Sequence, residues 1–436
     1  MVANVVVSPV QGVPSRQVWV AGIASMLGWS FDLFDLLIIL YIAPTIGPLF
    51  FPAKSPTLIL ASVYAAFGVT LLMRPIGSAL FGSYADRKGR KSAMVLAVFG
   101  VGIFTALLGA LPTYPEVGAV APISFIVIRL IQGIFVGGVV ASTHTLGTET
   151  VAPKWRSLFS GIITSGAGFG ALLASVAFAV VSELFPGPAF AQWGWRVMFF
   201  CGIFSSALRF FAFRSVSESP LWSESKKVGV IKTPVRTVFS GANLPIILVN
   251  LIIIIGCGSG YYLTSGFLPT FLVRINGLAR PVAAEILIVA AAVTIIVSPL
   301  VGQASEIFGR RPTFIVIALL GLIGLPLSYM WLAALGPTQS GTVMVAAVII
   351  TVLGFVGSSV APVYLNERFP TAIRSTGTGL SWNVGFAVGG MMPTFVTAAS
   401  SSIAAIPTVL EIFLVVIGIF FLIGTILTPE TKGRFE

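Results

Sequence analysis

Gly82-Ser83-Tyr84-Ala85-Asp86-Arg87-Lys88-Gly89-Arg90-Lys91 lies between two long apolar segments. A degraded copy recurs as Gly302-Gln303-Ala304-Ser305-Glu306-Ile307-Phe308-Gly309-Arg310-Arg311. In both, an acid stands four residues after a glycine, a second glycine follows three residues later, and two basic residues fall in the copy's next turn. The offset is 220 residues, 302 against 82, about half of the 436-residue chain. A second pair keeps nearly the same period: Glu149 with Arg156, and Glu367 with Arg374, shifted by 218. Two independent features that recur at one half-chain period identify an internal duplication.

Composition sets the class. With 56% hydrophobic and 9% charged residues, the chain is not an ordinary soluble domain. A spanning helix needs roughly 20 mostly apolar residues. Twelve such segments are read at 18–46, 57–82, 92–112, 121–148, 157–182, 195–213, 243–272, 281–303, 313–335, 341–365, 374–399 and 404–427. The 46 glycines and 27 prolines, many inside these segments, suit closely packed membrane helices. The expected fold is an all-α integral membrane protein of twelve transmembrane helices in two pseudo-symmetric bundles. Residues 1–213 form the first six-helix bundle, 214–242 a cytoplasmic linker and 243–436 the second bundle.

The net charge of +11 reports topology rather than nucleic-acid binding. With both termini on the cytoplasmic side, 18 of the 25 Lys and Arg fall in inside loops and tails, against Lys54, Arg196, Arg274 and Arg280 outside. That asymmetry is the positive-inside rule. The expected setting is the cell (plasma) membrane, with lipid as the surroundings and a monomer as the unit. The two cysteines, Cys201 and Cys257, lie within spans and offer no disulfide framework. Residues 1–17 lack the charged start and cleavage site of a secretory signal, so the first helix is expected to act as an uncleaved insertion signal.

Charged residues inside spans are functional candidates by default, because an ionised group in hydrocarbon is costly unless it faces a partner or a polar cavity. The first helix holds Asp32 and Asp35, three apart and so on one face. A carboxyl poised to gain and lose a proton is what proton coupling needs. Arg129, well inside the fourth span, needs a counter-charge, and Asp32 or Asp35 is the expected one. His144, the only histidine, is a possible proton relay further along that helix. Within the seventh span, the stretch Gly256 to Thr270 holds four glycines and a proline, which make it bendable, and Tyr261 and Tyr262, whose hydroxyls can line a cavity. In the eleventh, Trp382 and Asn383 sit at depth, the amide placed to bond a substrate or another helix. Arg74, in Arg74-Pro75-Ile76-Gly77 near the end of the second span, is grouped with the cytoplasmic gate. That gate comprises Gly82, Asp86, Arg87, Gly89, Arg90, Glu149 and Arg156, with Glu306, Arg310, Glu367 and Arg374 as second-half counterparts. No nucleophile–base pair or metal-ligand cluster appears, so neither an enzyme nor a metal site is expected. No cofactor is expected beyond the proton gradient as energy source.

These residues resemble the major facilitator superfamily over essentially the whole chain. The likeness rests on the Gly82–Lys91 motif, its partner at Gly302–Arg311, the Arg129-x-x-Gln132-Gly133 run and the terminal Pro429-Glu430-Thr431-Lys432-Gly433. More narrowly, the chain is similar to metabolite:H+ symporters. These share the acid-x-x-Asp pair of helix 1, Arg-Pro-x-Gly in helix 2, Trp193-Gly-Trp-Arg196 before helix 6, Phe267-Leu-Pro-Thr270 closing helix 7, and an aromatic-Asn with Gly-Gly in helix 11. Two positions depart from that pattern: Gly137-Gly138 is followed by Val139 where the subfamily usually has Glu, and the first acid is Asp32 rather than Glu. The Asp-x-x-Asp form also resembles aromatic-acid, sialate and monocarboxylate symporters. Ser217-Glu-Ser-Pro220 and the terminal Pro-Glu-Thr-Lys-Gly resemble sugar porters, although the paired glutamines of their helix 7 are absent. The resemblance implies proton-coupled symport of a small organic anion by alternating access. Sugar symport, proton-driven export and nutrient sensing without turnover are the alternatives.

Overall fold

The computed structural model describes residues 15–88, 90–149, 151, 155–214, 238–241, 243–369 and 374–433. Among them the secondary structure is helical, with no strand. A bilayer core offers the backbone no hydrogen-bond partner, so each spanning segment must satisfy its own amides, and helices do so. The twelve segments become α1 (Ser15–Phe50), α2 (Pro56–Lys88), α3 (Arg90–Ala110), α4 (Val120–Glu149), α5 (Arg156–Leu184), α6 (Trp195–Arg214), α7 (Asn243–Tyr261), α8 (Arg280–Phe308), α9 (Arg310–Ala333), α10 (Ser340–Arg368), α11 (Arg374–Gly390) and α12 (Ile406–Leu427). Nine helical rods among the described residues are long and apolar enough to cross a membrane, and Leu96–Ala110 is a shorter apolar stretch.

The rods alternate in direction. One end of the bundle carries the start of α1, the end of α12 and the Gly309 turn between α8 and α9, and is called the motif end. The opposite, far end carries the α1–α2 turn at 51–55. Two rods are broken near mid-depth. α7 passes through a π-helical turn, Tyr262–Gly266, into a second arm, Leu268–Arg274, and α11 continues as Met392–Ala399. Pro269 and Pro393 sit in the first turns of these arms, where the missing amide hydrogen costs least. The bend expected from the glycines of helix 7 is thus a wide turn placed immediately beside Tyr261 and Tyr262.

Helix contacts are set by small residues. A β-carbon on Gly77, Gly133 or Gly137 would fall 2.0–2.3 Å from backbone oxygens of the facing helix, so α2 and α4 meet backbone to backbone. The two halves meet in the same way. A β-carbon on Gly161 of α5 would lie 2.7 Å from Pro299 Cα and 2.8 Å from Ser298 O of α8, and one on Gly302 would lie 2.6 Å from Ser157 O. Near the middle, Trp29 of α1 stands edge-on to Trp382 of α11, with centroids 5.4 Å apart.

The linker at 214–242 and the side chains of residues 82–83, 85–95 and 139–149 lie largely outside the described residues. The side chains of the α5–α8 seam are fully described, and their fit is testable. Gly161→Val forces two backbones apart, and overpacking of this kind costs about 1–3 kcal/mol. A lower melting temperature of the detergent-solubilised variant is expected. Unchanged stability would show that the halves do not meet at this seam.

Candidate functional site

The centre of the bundle holds a buried ion pair. Arg74 Nη2 of α2 donates to Asp32 Oδ2 of α1 at 3.2 Å, with the arginine 2% and the aspartate 1% exposed. Arg74 also lines a narrow pocket between the halves. Its other walls are Trp29, Leu33, Thr164 and Ala167 from the first half, and Tyr261, Tyr262, Phe355, Ser358, Trp382 and Phe386 from the second. Trp382 and Phe386, one turn apart on α11, stack at 4.3 Å and 15°, and Tyr261 packs against both Tyr262 and Phe355. The pocket is therefore mostly aromatic, with one cation on its first-half wall. Several polar atoms here are buried without a hydrogen-bond partner: Arg74 Nε, Asp32 Oδ1, Tyr261 Oη and Ser358 Oγ. Such atoms cost free energy unless a ligand or water meets them.

Asp35 serves a different neighbour. Although three residues from Asp32, it accepts from Ser205 Oγ of α6 at 2.8 Å. Of the two counter-charges expected for Arg129, Asp32 is held by Arg74, whereas the charge of Asp35 lies near enough to act on Arg129. Arg129 Nη1 donates to Gln132 Oε1 at 2.7 Å, Gln132 Nε2 to Thr105 Oγ1 at 2.7 Å, and Arg129 Nε to Ala66 O at 3.5 Å. The guanidinium lies over the Phe67 ring, and Phe67 packs on Tyr262. Phe67 thus links Arg129 to Tyr262 in the pocket lining, and Asp32 takes Arg74. Arg74, grouped by sequence with the cytoplasmic gate, belongs to the central pocket because α2 carries its arginine back toward mid-depth.

Both ends of the pocket are bridged across the halves. Toward the far end, Tyr64 Oη of α2 donates to Thr270 Oγ1 at 2.6 Å and Arg274 Nη2 to Pro44 O at 2.8 Å. Toward the motif end, Asn383 Nδ2 of α11 donates to Ser78 Oγ of α2 at 3.1 Å, and Ser298 Oγ of α8 to Gly161 O at 3.2 Å. The halves are thus tied together on both sides of the pocket.

At the motif end the second-half gate residues form one network. Arg310 clamps Glu367 through Nε and Nη2, at 3.1 and 2.7 Å, and reaches Glu306 at 2.8 Å and Ser305 O at 2.8 Å. Paired N–H donors on one carboxylate give this clamp both strength and fixed geometry. Glu306 also accepts from Ser157 Oγ of the first half. Glu430, in the terminal motif, accepts from the amides of Arg310 and Arg311 at 2.9 and 3.1 Å, and from those of Thr431 and Lys432. A carboxylate at a helix N-terminus meets unpaired amides and the positive end of the dipole. Gly309 makes the fit possible: its φ is +100°, and a β-carbon there would fall 2.6 Å from Glu430 Oε2. The side chains of Gly82, Asp86, Arg87, Arg90, His144, Glu149 and Arg374, and all of Gly89, lie outside the described residues; Arg156 is half-buried at the start of α5.

Sequence reasoning missed Trp29, Phe355, Ser358 and Phe386 in the pocket, and Ser205 as partner of Asp35. Trp29 stands three residues before Asp32, which places it on the same helix face and was the available signal. The others are ordinary apolar or hydroxyl residues with no signal of their own.

Residues 18–394 match the family model described as Major Facilitator Superfamily. The inner membrane metabolite transport protein YhjE of Escherichia coli K12 is 28% identical, with 94% of each chain covered. The shikimate transporter of the same organism is also 28% identical, over 87% of each. Among solved structures, the xylose transporter XylE from E. coli, in a partially occluded inward-open conformation, superposes with a TM-score of 0.74 at 18% identity, covering 96% of this chain and 99% of that one.

The Glu430 cap carries a pH signature. Burial works to raise its pKa, but the four backbone amides outweigh it and hold the carboxyl below the ordinary glutamate range. A carboxyl that is more acidic in the folded chain contributes stability above its unfolded-state pKa. That contribution is lost as pH falls through the lowered folded-state value. Glu430→Gln is therefore expected to melt lower than wild type at neutral pH, with the two curves converging in acid. A gap that persists undiminished in acid would show that the charge is not what the amides hold.

Proposed function

Because the chain belongs to the major facilitator superfamily, and is thus a multi-pass secondary transporter rather than an enzyme, we propose that it carries a small organic anion together with a proton by alternating access. The observation that carries this reading is the Asp32–Arg74 pair at the pocket wall. Two charges held out of water in hydrogen-bond contact are mutually dependent: neutralising one leaves the other in need of a partner. Protonation of Asp32 removes its claim on Arg74, whose guanidinium already lines the pocket and whose Nε is already without a partner. A substrate carboxylate then takes the place of the aspartate. Proton and anion cross together as the halves rock about the central pocket, and deprotonation on the other side restores the pair and expels the anion. The shikimate transporter, a relative whose name specifies an organic acid, supports the same substrate class.

In this scheme the motif end faces the cytoplasm, the orientation that the positive-inside rule favours for this distribution of Lys and Arg. The membrane potential adds roughly 2.3 kcal/mol per net charge moved per 100 mV. One anion with one proton is electrically silent, so the pH gradient, not the potential, is the drive.

The test is uptake of radiolabelled organic acids and sugars into proteoliposomes, with and without an inward proton gradient. Gradient-stimulated accumulation of a carboxylate is expected in wild type. Asp32→Asn should hold Arg74 permanently free: it should bind the acid at neutral pH at least as tightly as wild type, exchange it across the membrane, and fail to accumulate it. Arg74→Gln should lose binding. Undiminished gradient-driven accumulation by Asp32→Asn would remove Asp32 from the coupling step, and sugar uptake alone would overturn the anion reading.

A further inference from the structure

We infer that Pro48 is a positioning residue for closure of the far end: it leaves the Pro44 carbonyl of α1 without a helical donor, and so makes the acceptor on which Arg274 of the other half docks. The inference rests on the reading of the halves as bodies that rock, and it concerns the far end rather than the central pocket. An α-helical carbonyl is normally met by the amide four residues later. For Pro44 O that residue is Pro48, inside the last turn of α1, and a proline has no amide hydrogen. Its ring also crowds the carbonyl four residues before it and turns that carbonyl off the helix axis.

Pro44 is buried, and a buried carbonyl left unmet is costly. The donor comes from the second half. Arg274 Nη2, at the tip of the second arm of α7, reaches Pro44 O at 2.8 Å. Pro48 is exposed, so its ring fills no position in the core. What it contributes is the free carbonyl one turn earlier.

The neighbouring contact is of the same kind. Arg280 Nη2 reaches Thr45 Oγ1 at 3.5 Å, and its guanidinium lies over the Phe190 ring of the first half, 4.8 Å from the centroid. Two cations of the second half thus meet the C-terminal part of α1, the negative end of its dipole. Their acceptors are a carbonyl, a hydroxyl and a ring face, none of them a carboxylate. A bond between two charged groups is roughly twice as strong as a neutral one and would hold the far end shut more firmly. A carbonyl takes the arginine when the far end closes and water when it opens, which suits a contact broken once per cycle. An amide at position 48 would remove this choice. The carbonyl would stay paired within α1 in both conformations, turned along the axis, and closure would gain little from Arg274.

The test is double electron–electron resonance on the full-length protein in proteoliposomes, with Cys201 and Cys257 replaced by alanine. Nitroxides at Ala53→Cys and Thr338→Cys, exposed positions on far-end turns of opposite halves, report far-end opening. A second pair, Tyr84→Cys on α2 and Leu427→Cys on α12, reports the motif end. Pro48→Ala and Arg274→Ala should each raise the ratio of open to closed far-end distances roughly three- to tenfold, the scale of one hydrogen bond from a charged donor. The double variant should go no further than the larger single change, because both substitutions remove one bond. Arg274→Lys, which keeps a charged donor, should restore most of the closure alone and none of it beside Pro48→Ala. Additive shifts, or a shift with Arg274→Ala and none with Pro48→Ala, would overturn the role of Pro48 and leave it only a bend in α1. If neither variant moves the far-end distances while the motif-end pair shows two populations, rocking stands and the docking contact falls. A single population at both ends in every variant would overturn rocking itself, and the docking contact with it.

Discussion

Neither member of the Asp32–Arg74 pair is tolerable alone at the centre of this bundle. The desolvation of each ion costs several kcal/mol, and stripping one partner from a buried pair typically costs about 3–5 kcal/mol. The surrounding structure follows from that constraint. α1 and α2 must be close enough for the 3.2 Å contact, and the glycines of α2 and α4 hold α2 in place by backbone contact.

Strong and weak interactions are distributed unevenly between and within the halves. Inside the second half, Arg310, Glu306, Glu367 and Glu430 are joined by charge-assisted bonds that tie α8, α9, α10 and the terminal segment into one piece. Across the halves, no ion pair is seen among the described residues: Tyr64 to Thr270, Asn383 to Ser78 and Ser298 to Gly161 O are neutral bonds, and Arg274 to Pro44 O, Arg280 to Thr45 and Ser157 to Glu306 each join one charged group to a neutral one. A neutral hydrogen bond contributes on the order of 1 kcal/mol net. The paired charges of the second half thus lie within it rather than across the seam.

The fold was legible because its signals are gross and redundant. Twelve apolar runs, a half-chain repeat and an asymmetric scatter of Lys and Arg all report the same architecture, and a shift of a few residues at any helix end leaves it unchanged. The site was legible only in its residue types. Asp32, Tyr261, Tyr262 and Trp382 were singled out by charge or chemistry at depth; the last three line one pocket, and Asp32 holds the Arg74 of its wall. Pairing was not legible. The choice between Arg74 and Arg129 as partner of Asp32 depends on the rotation of α2 and α4 about their axes, and Asp35 turning to Ser205 depends on where α6 packs. A hydropathy pattern that is apolar on every face carries no information about rotation. Ser358 and Phe355 were invisible for the same reason.

The cap that Glu430 places on α9 has a consequence for how the molecule is made. The two amides it holds belong to Arg310 and Arg311, some 120 residues earlier in the chain. Synthesis proceeds from the N-terminus, so three further helices are threaded into the bilayer before the acceptor for those amides exists. Until then the start of α9 and the guanidinium clamp beside it have an unfinished edge at the membrane surface. Closure of that edge is a late event in biogenesis, and it distinguishes a finished copy from one still on the ribosome or cut short near its end.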